Sequence, residues 1–153
     1  MASFWYNKAV GKILRNTIDL DGDTFKVGLS TSVHVPNKDD TFLDDAGSDD
    51  FVDGELTVTG YTNGFGGAGR KSLVNRTVTD DLTNDRIKFD ADDILWTALG
   101  AGQTIEQATL MREVTTNADS SVILNLDFTG VATSGANFTL QFHTDGIGYT
   151  TQT

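Results

Sequence analysis

The sequence predicts an all-β fold, an antiparallel sandwich or jelly-roll-like barrel with one short N-terminal helix. Three observations carry this. Seven or eight short segments alternate apolar and polar residues, the period of half-buried strands. Turns rich in Gly, Asp and Thr separate them at the spacing of such folds. The chain has sixteen Gly against a single Pro, which suits many turns better than long helices.

At 153 residues the chain is expected to form a single domain, 1–153, with a core of its own. It contains no Cys, so stability must come from packing or assembly, without disulfides or thiolate metal sites. The formal net charge is -11. Nearly all the acid is Asp, which favours turns and caps over helix interiors. That charge argues against nucleic acid as a direct partner, since phosphate contacts need Lys and Arg. No apolar run is long enough for a transmembrane helix, no secretory signal is visible at the N-terminus, and no membrane association is expected. The reading is of a protein made and assembled in a cytoplasm.

Residues 1–18 stand apart. Lys8, Lys12 and Arg15 are their only charged side chains, on an otherwise acidic protein. Ala9, Val10, Ile13, Leu14 and Ile18 follow helical spacing, and Phe4, Trp5 and Tyr6 precede them. A helix packed on its own sheet explains the apolar spacing. An arm docking on a neighbouring subunit also explains the charge contrast. Its contacts would be Phe4, Trp5, Tyr6, Lys8, Lys12 and Arg15.

Asp19 to Asp23 forms a turn into a strand from Thr24 to Thr31, with Phe25, Val27 and Leu29 on one face. As a calcium loop the turn fails. An EF-hand starting at Asp19 needs Gly where Thr24 stands and Glu where Ser30 stands. Residues 36–54 hold seven Asp and one Lys and read as a solvated loop. Phe42, Leu43, Phe51 and Val52 can anchor it, and a helical turn over Thr41 to Ala46 is plausible. Glu55 to Tyr61 alternates as a strand. The loop Asn63 to Gly69 lacks the phosphate-loop order, because Arg70 stands where Lys belongs. Arg70 and Lys71 read as a small basic spot at a loop tip.

Ser72 to Thr79 and Arg86 to Phe89 are strand candidates on either side of a turn at Asp80 to Asp85. Asp90, Asp92 and Asp93 follow, then Ile94-Leu95-Trp96. Carboxylates beside an aromatic ring can serve glycoside chemistry or sugar binding, but a tight turn with Asp side chains bonding to backbone N–H groups is favoured. Thr104 to Val114 is a further strand with Ile105, Ala108, Leu110 and Val114 as its apolar members. A hairpin-like turn at Thr115 to Ser120 leads to Ser121 to Phe128, the most strand-like segment of the chain. Gly130 to Ala136 is a loop and Asn137 to His143 the last strand. Residues 144–153 read as a polar tail. The expected core is Phe25, Val27, Leu29, Phe89, Trp96, Leu110, Leu124, Leu126, Phe138 and Leu140, organised around the Trp96 ring.

Little in this list supports catalysis. His34 and His143 are isolated and no Cys accompanies them, which gives no zinc set. No Gly-x-Ser-x-Gly elbow occurs, and no residue singles itself out as a nucleophile. No catalytic centre, cofactor or obligatory metal is expected. Calcium in the Asp39 to Asp53 run is the one ion worth testing.

Three stretches carry a family resemblance. The first is Asp23-Thr24-Phe25-Lys26-Val27-Gly28-Leu29 with Pro36 and Phe42-Leu43-Asp44-Asp45. The second is Glu55 through Gly60-Tyr61-Thr62. The third is Phe89-Asp90-Ala91-Asp92-Asp93-Ile94-Leu95-Trp96 with Ala108-Thr109-Leu110, Val122 to Phe128 and Asn137 to Phe142. In this order, over about Ala9 to Ile147, the chain resembles small virion structural proteins of tailed bacteriophages. The acidic loop 36–54 and the Gly64–Gly69 loop depart from that pattern.

The resemblance implies a non-enzymatic virion component. One form is a capsid decoration protein that stabilises the head lattice, with the major capsid protein and sister subunits as partners in a homo-oligomer such as a trimer. The alternative is a tail or fibre component or receptor-binding adaptor, with Trp96 and the acidic loops at its contact site. A small glycosidase is the third and weakest reading.

Overall fold

A computed structural model describes residues 3–151 except Ala46 and Ser48, and side chains through Gly148. The fold is mostly β, built from antiparallel sheets with a short N-terminal helix, and no closed barrel forms among the described residues. The main sheet has five strands in the order β1-β8-β7-β2-β3. These are β1 (Phe4–Trp5), β8 (Ser121–Ala132), β7 (Thr104–Arg112), β2 (Lys26–Ser30) and β3 (Lys71–Ser72). A second sheet, β10-β5-β4, joins Gly148–Thr151, Arg86–Asp90 and Thr77–Asp81. A third pairs β6 (Ile94–Trp96) with β9 (Phe138–Leu140).

Register decides what each face of the main sheet carries. Val27, Leu110 and Leu124 lie abreast, as do Leu29, Ala108 and Leu126. The period of two puts this apolar set on one face. Trp5, opposite Leu124 in the ladder, joins that face and packs its ring 6.3 Å from Phe89 of β5. Phe25 approaches Phe89 at 6.4 Å. The main and second sheets therefore meet through aromatic rings.

The reverse face carries Gly28, Thr109 and Asn125, then Ser30 and Gln107. It is covered by the loop that follows β2. A Cβ on Gly28 would lie 2.5 Å from the Phe51 ring, so a larger residue here would have to displace that ring. Ser30 Oγ lies 3.1 Å from His34 Nδ1, and Gln107 Nε2 donates to the His34 carbonyl. Leu43 and Phe51 are buried, as anchors of the loop should be.

Eight of the ten expected core residues are buried, with Trp96 fully so; Leu126 and Phe138 are partly buried. The Trp96 indole N–H donates to the Gly69 carbonyl at 2.6 Å, which satisfies its one polar atom inside the core.

Several expectations need correction. Glu55 to Tyr61 is not a strand. Leu56, Val58 and Tyr61 are buried, but only a single bridge, Glu55 to Ser30, joins the segment to a sheet. Alternation here reflects burial along an irregular loop. No helix forms over the described part of Thr41 to Ala46 (Ala46 itself lies outside the described residues). The helical turn is α2, Phe51–Gly54. Ser72 to Thr79 splits between β3 and β4, and β8 extends to Ala132 into the expected loop. Val114 is exposed beyond the end of β7. The expected tail supplies β10, whose Gly148 to Thr151 pair with Phe89 to Arg86; Gln152 and Thr153 lie outside the described residues.

Candidate interaction surface

The N-terminal segment builds one wall of a groove. Helix α1 (Asn7–Leu14) follows β1 directly and lacks a side-chain N-cap. Its helical period places Ala9 in the core, Val10 and Ile13 at the boundary and Leu14 in solvent, 81% exposed. The opposite wall is β4 and β5, which contribute Val78, Ile87 and Phe89. Trp5 forms the floor, close against Gly148, where a Cβ would come within 2.5 Å of the indole. The groove holds about 270 Å³ and is lined almost wholly by carbon. Val78 and Ile87 are also exposed. This arrangement suits an apolar contact, since exposed aliphatics grouped around a groove mark interaction sites more often than scattered ones do.

The six residues expected to form a contact arm separate. Trp5 reaches the groove. Phe4 turns to the reverse face, edge-on to Tyr6 at 5.1 Å, with Lys38 Nζ 5.7 Å from its ring centre. Tyr6 is fully buried within its own protomer, so it is withdrawn from the set of contact residues. Burial raises its phenol above the ordinary tyrosine range, and the Asp40 carboxylate adds to this. Lys12 is also engaged internally. Its Nζ donates to Ser121 Oγ at 2.7 Å and sits over the Phe42 ring. Burial lowers its pKa, helped by Arg112. Lys8 and Arg15 remain exposed.

The expected sugar-cleft group does not form an open site. Trp96 is enclosed, which removes it from the receptor-contact reading. Asp90 Oδ1 accepts from Ala91 N, Asp92 Oδ2 from Asn75 Nδ2 and Asp93 Oδ1 from Phe142 N. Only the Asp90 bond is the local turn bond favoured on sequence grounds; Asp92 and Asp93 instead tie this segment to residues 17 and 49 positions away. Like Asp90, Asp19 and Asp23 accept backbone N–H groups within their own turn.

Two buried features were not legible in the sequence. Arg70 is not a loop-tip cation but is buried, with its side chain wholly inaccessible. Its guanidinium bridges Glu55 and Glu113, and Lys26 completes the set on Glu113. Burial alone would lower the Arg70 pKa, but the two carboxylates outweigh it and raise it. Burial likewise opposes ionisation of Glu113, and Lys26 and Arg70 reverse that effect. Two cations and two anions close a neutral network.

The second feature lies under the acidic loop. His34 is buried and its pKa falls to about 4, chiefly through desolvation. Asp50 is pushed up to about 6 by burial first and then by Asp45, Asp40, Asp53 and Asp44. Its Oδ2 has no hydrogen-bond partner among the described residues. His143, by contrast, is exposed beside Asp145.

No family model, curated protein or solved structure matches the chain.

Proposed function

We propose that the chain is a non-catalytic structural protein of a tailed-bacteriophage particle. In this reading it is a capsid decoration protein that binds the head lattice as a homo-oligomer and stabilises it. Its partners are the major capsid protein and sister subunits, and it resides in the virion after assembly in the host cytoplasm. The observation that carries the reading is the aliphatic groove between α1 and the β4–β5 sheet, with Leu14, Val78 and Ile87 exposed around it. Such a surface offers apolar area to another protein and no reactive group to a substrate. The virion resemblance of the sequence supplies the class of partner. We also read the two sheets that meet at Phe89 as an antiparallel sandwich.

The side chains best placed for chemistry support the non-catalytic reading. Asp90, Asp92 and Asp93 accept structural bonds, and His34 lies beneath a loop against Ser30. Binding would act by mass action, each occupied site adding to lattice stability.

Cryo-electron microscopy of particles from the phage that encodes the chain tests this. Density for the fold on the head lattice is expected. Density on the tail or fibres would select the tail-component alternative. Purified particles free of the chain would overturn the virion reading.

A further inference from the structure

We infer that β4 is a self-pairing edge, through which two copies of this chain join in antiparallel register about Thr79. The inference deepens the proposed reading, resting on it only for the expectation of a homo-oligomer; its own support is the geometry of β4.

β4 is an outer strand, paired on one side with β5 alone. Its other edge receives no hydrogen bond from any described residue. At five residues it is the longest outer strand among those described; β1 and β3 have two each and β10 has four. Thr77 to Asp80 are all exposed. An exposed strand edge is a template for pairing with another chain unless charge or curvature blocks it. Here Asp81 is neutralised by Arg86 at 2.7 Å.

The sequence of β4 specifies the occupant as a second copy. A two-fold through Thr79 places Thr79 opposite its own copy, Val78 opposite Asp80 and Thr77 opposite Asp81. No two carboxylates then face each other directly, and a threonine pair is a favourable cross-strand match. Such an interface uses one patch twice and closes on itself. It also unites the apolar surfaces. Val78 and Ile87 line the groove, and an axis perpendicular to the sheet keeps both grooves on the same face. The two grooves then flank the seam, with an exposed Leu14 at each outer wall.

The chain has no native Cys, so single-cysteine variants report on this register. Thr79→Cys places two thiols at directly opposed positions. Thr144→Cys places them on an exposed turn outside β4. Under mild oxidation Thr79→Cys is expected to form covalent dimer about tenfold faster or more, because pairing raises the effective thiol concentration. Sedimentation of the unmodified protein should show a concentration-dependent dimer, and Thr79→Asp, which sets two carboxylates directly opposite each other, should shift it to monomer with an unchanged circular dichroism spectrum. Equal cross-linking rates for the two cysteine variants, or a purified protein that stays monomeric, would overturn the inference. Particles that carry the chain while the purified protein is monomeric would overturn edge pairing alone. A Thr79-linked dimer with particles free of the chain would uphold edge pairing and overturn the virion reading instead.

Discussion

The Arg70 guanidinium grips Glu55 with two parallel bonds, Nε to Oε1 at 2.8 Å and Nη2 to Oε2 at 2.6 Å. Both side chains are almost completely inaccessible. Glu55 also accepts from the Tyr61 hydroxyl and from the Gly64 amide. The same hydroxyl lies 3.0 Å from the amide of Leu29, within β2. One ion pair thus ties the irregular segment 55–70 to the main sheet, where the sequence alone suggested an ordinary strand and a free loop.

Removing one partner of a buried pair leaves the other charge stranded, which typically costs about 3–5 kcal/mol. Arg70→Met is therefore expected to lower stability by roughly that amount, whereas Lys71→Met at the next, less buried position should change little. Denaturant melts of the two variants check this. The double variant Arg70→Met with Glu55→Gln should recover part of the loss, because it removes both charges together.

Trp96 carries the second prediction. Its ring is fully buried, and its N–H bonds to the Gly69 carbonyl. Trp96→Ala should cost about 3–5 kcal/mol, as for other large-to-small aromatic changes in cores. Trp96→Phe should cost less, retaining much of the packing but leaving the carbonyl of Gly69 without its donor. Urea unfolding followed by circular dichroism separates the two, and equal midpoints for wild type and Trp96→Ala would remove Trp96 from its central place in the core.

How far the sequence spoke depended on the kind of signal. Alternation located β2, β5 and β8, because period two with the apolar side chains mostly on one face leaves a readable stripe, as at Phe25, Val27 and Leu29. It failed at Glu55 to Tyr61, where the same stripe belongs to a loop pinned by its own side chains. Charge failed at Arg70 for a related reason: residue type tells that a cation needs a partner, but the partners Glu55 and Glu113 lie 15 and 43 positions away. β10 was illegible because Gly148 to Thr151 pair with β5 through backbone groups that any sequence supplies. The groove was only half legible. Helical spacing marked Val10, Ile13 and Leu14, but nothing local linked them to Val78 and Ile87.

The buried His34 and Asp50 give opposite pH dependences. The folded pKa of His34 is depressed to about 4, so its stabilising effect is present above the unfolded value near 6.5 and is lost as pH falls toward 4. The folded pKa of Asp50 is raised to about 6. Its effect is therefore fully present below the unfolded value near 3.8 and is lost as pH rises through 6. Between about pH 4 and 6 the two slopes oppose each other, each worth on the order of 1–3 kcal/mol across the window. Asp50→Asn should leave stability falling on acidification more steeply than in the wild type. His34→Gln should shift the profile the other way. Denaturant midpoints measured across this range decide it, and parallel profiles for all three proteins would refute the assignment.

The final prediction reverses an expectation drawn from the sequence. An N-terminal arm would leave a folded domain when residues 2–7 are deleted. In the structure, β1 extends the main sheet by pairing Phe4 and Trp5 with Asn125 and Leu124, and the Tyr6 amide donates to the Ile123 carbonyl at 3.1 Å. Tyr6 itself is fully buried. Losing this ring alone should cost about 3–5 kcal/mol, a large fraction of the stability of an ordinary domain, so deletion of residues 2–7 should lower the melting temperature sharply. Tyr6→Phe provides the contrasting case. The Tyr6 hydroxyl is buried without a hydrogen-bond partner among the described residues, so its removal relieves a desolvation cost of about 1–3 kcal/mol while keeping the ring. Tyr6→Phe is expected to match or exceed the wild-type melting temperature. A truncated protein that melts like the wild type, or a Tyr6→Phe protein that loses as much as the truncation, would show that the N-terminal segment is not held in the protomer core.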